Sequence, residues 1–333
     1  MSNIVISDFN YQSIDIERGI LNQPDIALKD YQCRTEEDVI AAAKDCDVLI
    51  VQFAPVTRKV IESLSRCKAI VRYAIGVDNI DLDAASQRGI YVVNVPDYGI
   101  DEVSTSAVTL LLAAIRQLSV AVGAVRSGCW DYAATKPLHR TKGARLGLVG
   151  LGRIPVEVAK KMAGFGMDIV AFDPYVDESV ARDCGVRPVS FDQLVSTSDY
   201  ISIHCPLTSE THHLFHKEVF ARMKPTAILI NTARGSVINE IDLAQACKDR
   251  VIAAAAIDVA EVEPIPQDSP LLSLDNVIIT PHMAWYSEES IVALKTAVAT
   301  EALRAARGEM PKNIVNRKEL AARVRCGIQG AWK

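Results

Sequence analysis

The chain has 333 residues, more than a single hydrophobic core usually organises, so we expect two domains. Apolar residues make up 49% of the sequence and neither glycine nor proline is abundant, which excludes a disordered chain. The formal net charge is −5 with acidic and basic residues interspersed, which argues against nucleic acid or an anionic membrane as the main partner.

Short apolar runs alternate with helical patterns from the N-terminus to Asn94. Strands that alternate with helices are typical of βαβ units, which build a parallel sheet. A long apolar helical pattern then runs from Asp101 to Arg126 and stops at Gly128, and a helix of that length can bridge two domains. The predicted strands are Ile4–Ile6, Asp47–Val51, Ala69–Tyr73 and Tyr91–Asn94, and the predicted helices are Glu36–Lys44, Arg58–Cys67 and Asp83–Arg88.

A second alternating series begins at Arg145, and helices fall between most of its strands. Ser287 is a predicted N-cap, with acidic residues in the following turn where the helix dipole favours them. That helix runs to about Arg307 and stops at Gly308, whereas residues 317–333 are mildly basic without a strong pattern, and we expect them to lack order. The predicted strands are Leu146–Val149, Ile169–Phe172, Tyr200–Ile203, Ala227–Asn231, Ala253–Ile257 and Val277–Ile279.

A glycine-rich turn follows the first strand of the second series. Gly150 and Gly152 stand where a dinucleotide-binding fingerprint needs a tight turn and a close approach of backbone N–H groups to a pyrophosphate. Pro155 replaces the third glycine of that fingerprint. Proline is tolerated in the first helical turn, so it affects the packing of helix on strand rather than the phosphate contact.

Asp173 ends the next predicted strand, and its presence distinguishes the glycine-rich turn from an ordinary strand–helix connection. A carboxylate at this strand tip accepts the ribose hydroxyls of NAD and repels the additional phosphate of NADP. The segment Pro174–Val176 contains no arginine for such a phosphate. The sequence therefore predicts NAD as the cofactor.

Polar clusters follow the strands of the second series. Because ligands bind outside the carboxyl ends of strands in open α/β sheets, these clusters on one edge indicate a single large site. They are Gly150–Arg153, Asp173, His204-Cys205-Pro206, Thr232–Gly235, Asp258 and Thr280–His282.

Other candidate features are weaker. The eight cysteines show neither a CxxC pair nor zinc-ligand spacing, so we expect reduced, mostly buried thiols. The tract His212, His213 and His216 lacks a convincing further ligand, so we predict no metal site. No secretory signal or long apolar span is visible, and we therefore expect a cytoplasmic chain without a membrane partner.

Several dispersed motifs resemble the D-isomer-specific 2-hydroxyacid dehydrogenase family over about residues 1–316. They are Gly76–Asp81, Gly150–Ile154, Asn231–Gly235, Asp258 with Glu263-Pro264, and Thr280–His282. The resemblance implies an α/β fold of two flavodoxin- or Rossmann-like parallel-sheet domains, with the cofactor domain inserted into the substrate domain. The substrate domain would be residues 1–98 and 287–333, and the NAD-binding domain residues 99–286.

The resemblance also implies the catalytic residues Arg234, Glu263 and His282. Arg234 offers a planar fork for the substrate carboxylate and a neighbouring oxygen. His282 donates a proton during reduction of a 2-keto acid and accepts one in reverse. Glu263 would pair with the imidazole and fix its tautomer.

The family places further residues around the cofactor and the substrate. The backbone of Arg153 and Ile154 would face the pyrophosphate, and backbone N–H groups near Ile75 and Gly76 would bind the substrate carboxylate. Trp285, three residues after His282, either lines the substrate pocket or packs at the domain hinge. The complete set of predicted cofactor residues is Gly150, Gly152, Arg153, Ile154, Asp173, His204, Cys205, Pro206, Thr211, Thr232, Ala233, Arg234, Asp258 and His282.

Three functions stay open on the sequence alone. The first is reversible hydride transfer between NADH and a small 2-keto acid, which the motifs favour. The second is D-3-phosphoglycerate dehydrogenase, and the third is an NAD(H)-sensing protein like the C-terminal-binding-protein corepressors, whose branch the segment His282–Glu288 resembles. The family further implies a homodimer formed through the cofactor domain.

Overall fold

The computed structural model describes the backbone of residues 1–325 and the side chains up to residue 321, apart from that of Glu178. The chain divides into two compact units. Unit 1 comprises Met1–Gly99 and the segment from Ser287 onward, and unit 2 comprises Ile100–Tyr286. Both are parallel α/β sheets flanked by helices.

Unit 1 contains five strands in the order β2-β1-β3-β4-β5, all parallel. Strand β3 is fully buried, and apolar clusters fill both faces of the sheet. Up to Gly99 the elements are β1 (Ser2–Ile6), α1 (Asp15–Leu21), β2 (Ile26–Asp30), α2 (Glu36–Ala43), β3 (Val48–Val51), α3 (Arg58–Ser63), β4 (Ala69–Arg72), α4 (Leu82–Arg88) and β5 (Tyr91–Val93).

Unit 2 contains seven parallel strands in the order β12-β11-β10-β9-β6-β7-β8. The chain runs outward from β6 to β8 and then crosses to β9, so the topological switch lies between β6 and β9, where α/β sheets open a ligand crevice. From Ile100 the elements are α5 (Ile100–Ile115), α6 (Leu118–Arg126), β6 (Arg145–Val149), α7 (Arg153–Ala163), β7 (Asp168–Phe172), α8 (Glu178–Asp183), β8 (Arg187–Pro188), α9 (Phe191–Thr197), β9 (Tyr200–Ile203), α10 (Lys217–Phe220), β10 (Ile228–Asn231), α11 (Glu240–Lys248), β11 (Ala254–Ile257) and β12 (Val277–Ile279).

The chain then returns to unit 1 with α12 (Glu288–Ala306) and α13 (Arg317–Arg325). Ser287 caps α12 as predicted, because its hydroxyl accepts the Ser290 N–H in a reciprocal capping box. The expectation that the tail lacks order is wrong for residues 317–325, which are helical although the sequence shows no strong pattern there. Residues 326–333 of that predicted tail lie outside the described residues.

The single helix predicted over Asp101–Arg126 is wrong. It is broken into α5 and α6, which meet at an angle of 61°. Gln117 at the break has a left-handed backbone with φ of 46°, which ends the α-helical hydrogen-bond ladder. Gly128, with φ of 85°, follows the end of α6 where the pattern predicted a stop.

Two smaller differences concern unit 1. The predicted helix Arg58–Cys67 ends at Ser63, because Leu64 is already extended and leads towards β4. Helix α1 and strand β2 were not predicted, since β2 lies at the sheet edge and buries one of its five residues. Among the described residues no single helix is long and apolar enough to cross a membrane, and only the bent pair α5 and α6 together reaches that length and composition.

Candidate active site

The carboxyl edge of the unit 2 sheet collects the predicted polar clusters. Backbone hydrogen bonds continue across the edge beyond the strands: Gly150 N–H donates to Phe172 O at 2.8 Å, and His204 N–H donates to Val149 O at 2.8 Å. Asp258 N–H likewise donates to Asn231 O at 2.9 Å. The strand order therefore sets the clusters side by side, from the Asp173 end at β7 to the His282 end at β12.

The glycine-rich turn after β6 requires glycine at its first position. Gly150 has φ of 93°, and a Cβ added there would lie 3.0 Å from Cys205 N. Gly152 is the N-cap of α7, and a Cβ added to it would meet open space. Pro155 is buried in the first turn of that helix, where its missing N–H removes no hydrogen bond. The N-terminus of α7 thus presents backbone donors at the switch point of the sheet.

Asp173 lies directly after β7 and is bonded to the glycine-rich turn. Its Oδ2 accepts the Leu151 N–H at 2.8 Å, and its Oδ1 accepts the Tyr175 N–H at 2.9 Å. A cavity of about 380 Å³ opens beside it, lined by Asp173, Val176, Val189 and Ser190 among others. The carboxylate and the cavity together offer a place for a ribose and a flat ring.

The segment after β9 is more buried. His204 Nε2 lies 2.8 Å from Ser202 Oγ, and burial lowers the pKa of its imidazole to about 3. Cys205 is part of the apolar core, and burial raises the pKa of its thiol to about 11. The Thr211 hydroxyl donates to Pro206 O at 2.6 Å and so closes its own turn. The predicted cofactor contacts of these residues stay predictions.

The turn after β10 holds Thr232, Ala233 and Arg234. Buried Asn231 braces it, because its Oδ1 accepts the Ala233 N–H at 2.9 Å and its Nδ2 donates to Arg234 O at 2.9 Å. One guanidinium N–H of Arg234 donates to Ala233 O at 2.7 Å. Sequence reasoning gave Asn231 no role of its own, although an Asn at the end of a strand often bonds the backbone of the next turn.

The Asp258 carboxylate braces the turn that carries His282. It accepts N–H groups from Met283 at 3.0 Å and Ala284 at 2.8 Å, and the Thr280 hydroxyl at 2.5 Å. This network explains why an acid buried to 2% exposure is tolerated. Its predicted contact with the cofactor stays a prediction.

Glu263 and His282 are joined by a hydrogen bond at the end of this turn. His282 Nδ1 lies 2.6 Å from Glu263 Oε2, while Glu263 Oε1 accepts the Ala260 N–H at 3.0 Å. Burial acts to raise the pKa of Glu263, but these hydrogen bonds and the charges of His282 and Arg234 outweigh it and hold the pKa below its usual value. His282 has a left-handed backbone with φ of 51°, a conformation that bulky residues adopt rarely and that the surrounding bonds must hold.

The Arg234 and Glu263 segments touch at Gly235, which sequence reasoning also missed. A Cβ added to Gly235 would lie 2.0 Å from the carbonyl carbon and oxygen of Ala260. No larger residue fits between the two backbones. The glycine therefore sets how near Arg234 comes to the Glu263–His282 pair.

The other predicted substrate residues are Ile75 and Gly76 in unit 1 and Trp285 in unit 2. In unit 1, Ile75 O accepts the Asn94 side-chain N–H at 2.6 Å, which anchors the loop around Gly76. In unit 2, the Trp285 indole N–H donates to His282 O at 3.0 Å, so the ring folds back over the His282 turn. Within the described part of the chain, no group of three or more His, Cys, Asp or Glu side chains is placed to hold a metal ion.

The residues at this edge fit a dinucleotide. Gly150 leaves no room for a side chain beneath the turn, the first turn of α7 has neither an acidic residue nor a capping side chain, and buried Thr232 Oγ1 has no protein partner. An orphaned buried hydroxyl is costly and is satisfied when a ligand supplies the missing bond.

Comparison with known proteins supports the same conclusion. The family sequence model described as "D-isomer specific 2-hydroxyacid dehydrogenase, NAD binding domain" matches residues 108–284. The chain is 43% identical to a D-3-phosphoglycerate dehydrogenase of Methanocaldococcus jannaschii over 85% of its length, and it spans 54% of that relative. It is 39% identical to a glyoxylate reductase of Korarchaeum cryptofilum, covering 89% of this chain and 90% of that one.

A solved structure is similar as well. The D-lactate dehydrogenase from Aquifex aeolicus, complexed with NAD and lactic acid, has a TM-score of 0.83 and 25% sequence identity, and the match covers 96% of this chain and 98% of that one. The chain therefore belongs to the D-isomer-specific 2-hydroxyacid dehydrogenase family.

Proposed function

We propose that this protein is an NAD-dependent dehydrogenase that reduces a small 2-keto acid to a D-2-hydroxy acid, and that it works in both directions. The observation that carries the proposal is the Glu263–His282 pair, joined at 2.6 Å, with the charge of Arg234 acting on the same carboxylate. This set supplies a cation for the substrate carboxylate and an acid/base for the carbonyl.

The cofactor would lie along the carboxyl edge of the unit 2 sheet. Backbone N–H groups at Arg153 and Ile154 would hold its pyrophosphate, and Asp173 would bind its adenosine ribose. The orphaned Thr232 hydroxyl supports a nicotinamide end near β10. Bound NADH supplies the hydride that adds to the carbonyl carbon of the substrate.

The side chains of the chain itself handle the substrate and the proton. Arg234 orients the substrate carboxylate and polarises the carbonyl oxygen. Since His282 Nδ1 faces Glu263, its Nε2 is the nitrogen that donates a proton to that oxygen, which becomes the hydroxyl. Glu263 holds the ring in place and stabilises the imidazolium form. In the oxidative direction the same nitrogen accepts the hydroxyl proton.

The substrate class is inferred from the side chain at Trp285. Trp285 offers an apolar ring, and its indole donor is already bonded to His282 O. A phosphate dianion needs Arg or Lys clusters, so a wall of this kind favours an unphosphorylated, apolar substrate.

D-3-phosphoglycerate dehydrogenase is the second candidate, because a relative with that name is 43% identical over 284 residues. A panel of 2-keto acids that includes glyoxylate, a branched-chain keto acid and 3-phosphohydroxypyruvate separates the two. NADH oxidation that is fastest with an unphosphorylated keto acid supports our proposal. Turnover with none of them would favour an NAD(H)-sensing protein.

We further infer a homodimer that forms through unit 2. Helix α6 buries none of its residues, and Leu118, Val122 and Val125 recur on one face of it at helical spacing. Trp130, at 89% exposure, and Tyr132 follow the helix. Such an apolar surface marks an interface, and a two-fold pair is the commonest assembly. Light scattering that finds a 36.3 kDa species at micromolar concentration would contradict this inference.

A further inference from the structure

The segment that carries Glu263 has few anchors of its own. Between β11 and the 3₁₀ turn at Pro270–Ser273 the chain has no regular structure, and Val262 is 61% exposed. A carboxylate on such a segment reaches one fixed place only if neighbouring bonds hold the backbone there. Glu261, two residues before Glu263, provides these bonds.

Glu261 makes three hydrogen bonds to residues outside its segment. Its Oε1 bonds with His213 Nε2, its Oε2 accepts the Glu240 N–H at 3.1 Å, and its own N–H donates to Glu240 Oε1. Glu240 opens α11, so the Glu261 carboxylate also lies at the positive end of that helix dipole.

His213 completes a connection to the segment that follows Arg234. Its backbone N–H donates to Ser236 O at 2.8 Å while its ring holds Glu261. The residue adopts a left-handed backbone with φ of 51°, which is uncommon outside glycine and indicates that its position is fixed by these contacts. His213 thus bridges the Arg234 segment and the Glu263 segment, which also meet at Gly235 and Ala260.

We propose that the His213–Glu261 pair is a positioning unit for catalysis, which fixes Glu263 and hence His282 relative to Arg234. The inference rests on the proposed function of those three residues. Neither His213 nor Glu261 touches the reacting atoms. They act through the backbone of the segment from Ala260 to Glu263.

The charges around this unit set what each substitution does. His213 is faced by His212 from its own loop, with the two ring centroids 3.9 Å apart, and by Glu261, which in turn accepts the Glu240 N–H of α11. Glu263 is faced by His282 and Arg234, and it also interacts electrostatically with Glu240. Because Glu261 and Glu263 lie on one segment, loosening that segment weakens the hold of the Glu263 carboxylate on His282.

The test compares Glu261→Gln, His213→Gln and the double variant. Because a misplaced acid/base costs about tenfold to a hundredfold, we expect that loss in kcat per NADH-binding site for each single variant, with the dissociation constant for NADH unchanged. The double variant should lose no more than one single variant, since all three break the same connection. The matched control is His216→Gln, whose ring pairs with Glu218 at 2.6 Å on the exposed side of the same loop.

The pH profile separates positioning from a structural role. In Glu261→Gln the high-pH limb of keto acid reduction should move to lower pH, because a Glu263 carboxylate that is held less firmly stabilises the imidazolium of His282 less. His213→Gln should move the limb in the same direction, because it breaks the same connection, and the His216→Gln control should leave it in place.

Three results would overturn the inference: an unchanged kcat in either single variant, costs that add in the double variant, or a lower melting temperature with an unmoved pH limb in Glu261→Gln. His282→Ala distinguishes this failure from failure of the proposed function. If His282→Ala turns over normally, the proposed function is wrong. If His282→Ala is inactive while Glu261→Gln matches the wild type, only the positioning role is wrong.

Discussion

The imidazole of His282 and the carboxylate of Glu263 are joined by a hydrogen bond of 2.6 Å between Nδ1 and Oε2. The same carboxylate is fixed through its second oxygen by the Ala260 N–H at 3.0 Å. An acid held in this way stays ionised and keeps one ring nitrogen of His282 occupied. The other nitrogen is then the one that exchanges a proton with the substrate.

The first prediction concerns this pair. His282→Ala should lower kcat by about 10²–10⁴-fold, because the reaction loses its proton donor, while NADH still binds. Glu263→Gln should move the high-pH limb of keto acid reduction to lower pH, since the imidazolium loses its counter-charge. Stopped-flow turnover and NADH fluorescence titration measure both effects. Near-normal turnover in His282→Ala, or an unmoved limb in Glu263→Gln, would refute the respective role.

The second prediction concerns the approach of two backbones at Gly235. A methyl group there would lie 2.0 Å from the Ala260 carbonyl, so Gly235→Ala must displace the Glu263 segment. Such overpacking costs about 1–3 kcal/mol, and we expect lower stability and a lower kcat together. Gly164→Ala is the control, because a Cβ added at that position meets nothing within 4 Å. Equal activity of the two variants would show that the approach is not required.

The third prediction is a preference for NADH over NADPH. The Asp173 carboxylate would face the 2′-phosphate of NADPH, and repulsion of about 3 kcal/mol corresponds to roughly a hundredfold in kcat/KM. Asp173→Ala should relax the preference. Because Asp173 also holds the Leu151 N–H at 2.8 Å, Asp173→Asn is the gentler companion variant. Comparable kcat/KM of the wild type with both cofactors would contradict the role of Asp173.

The fourth prediction is a pH dependence of stability from His204. Burial lowers the pKa of His204 from about 6.5 to about 3, so below pH 6.5 the unfolded chain takes up a proton that the folded chain does not. The free energy of unfolding should therefore fall between pH 6.5 and 3, by at most about 1.4 kcal/mol per pH unit from this group. Urea melts of the cofactor-free protein at several pH values measure the slope.

His204→Gln provides the comparison for that slope. Glutamine can keep a hydrogen bond to Ser202 Oγ but has no proton to gain in this range. The variant should lose stability less steeply than the wild type as the pH falls. Parallel curves for the two proteins would show that the His204 ring becomes protonated in the folded state as readily as in the unfolded one.

The sequence predicted six of the seven strands of the unit 2 sheet, because each of those six is a short apolar run that ends in a polar cluster. The two-residue edge strand β8 was not predicted, since it contains no apolar run. Gly150, Asp173 and His282 each follow a strand end, and parallel strands place such ends at one edge. The break at Gln117 was not predictable in the same way. Nothing in that residue type demands a left-handed backbone, and tertiary packing decides its conformation.

Contacts between segments distant in the sequence were also beyond prediction. His213 and Glu261 are 48 positions apart. The local spacing of the histidine tract indicates only a metal-binding motif that lacks a further ligand, so the sequence predicts no role for His213. Glycine is required at position 235 because the Ala260 backbone lies against it, and a single sequence does not reveal this contact. Such pairings need the fold, because they follow from how turns at neighbouring strand ends meet.

The last prediction concerns the shape of the substrate pocket. The Trp285 indole N–H donates to His282 O at 3.0 Å, and its ring meets Tyr286 edge-on at 5.9 Å, so the ring is held beside the acid/base with its only donor used. A wall of this kind suits apolar or thioether side chains. Trp285→Ala should lower kcat/KM for bulky 2-keto acids by about 1–3 kcal/mol and spare glyoxylate, which has no side chain to lose contact. Trp285→Phe keeps an apolar ring, so its kcat/KM for bulky 2-keto acids should lie between those of the wild type and Trp285→Ala. Efficient turnover of 3-phosphohydroxypyruvate alone, with Trp285→Ala indifferent, would show that the pocket is built for a phosphorylated substrate instead.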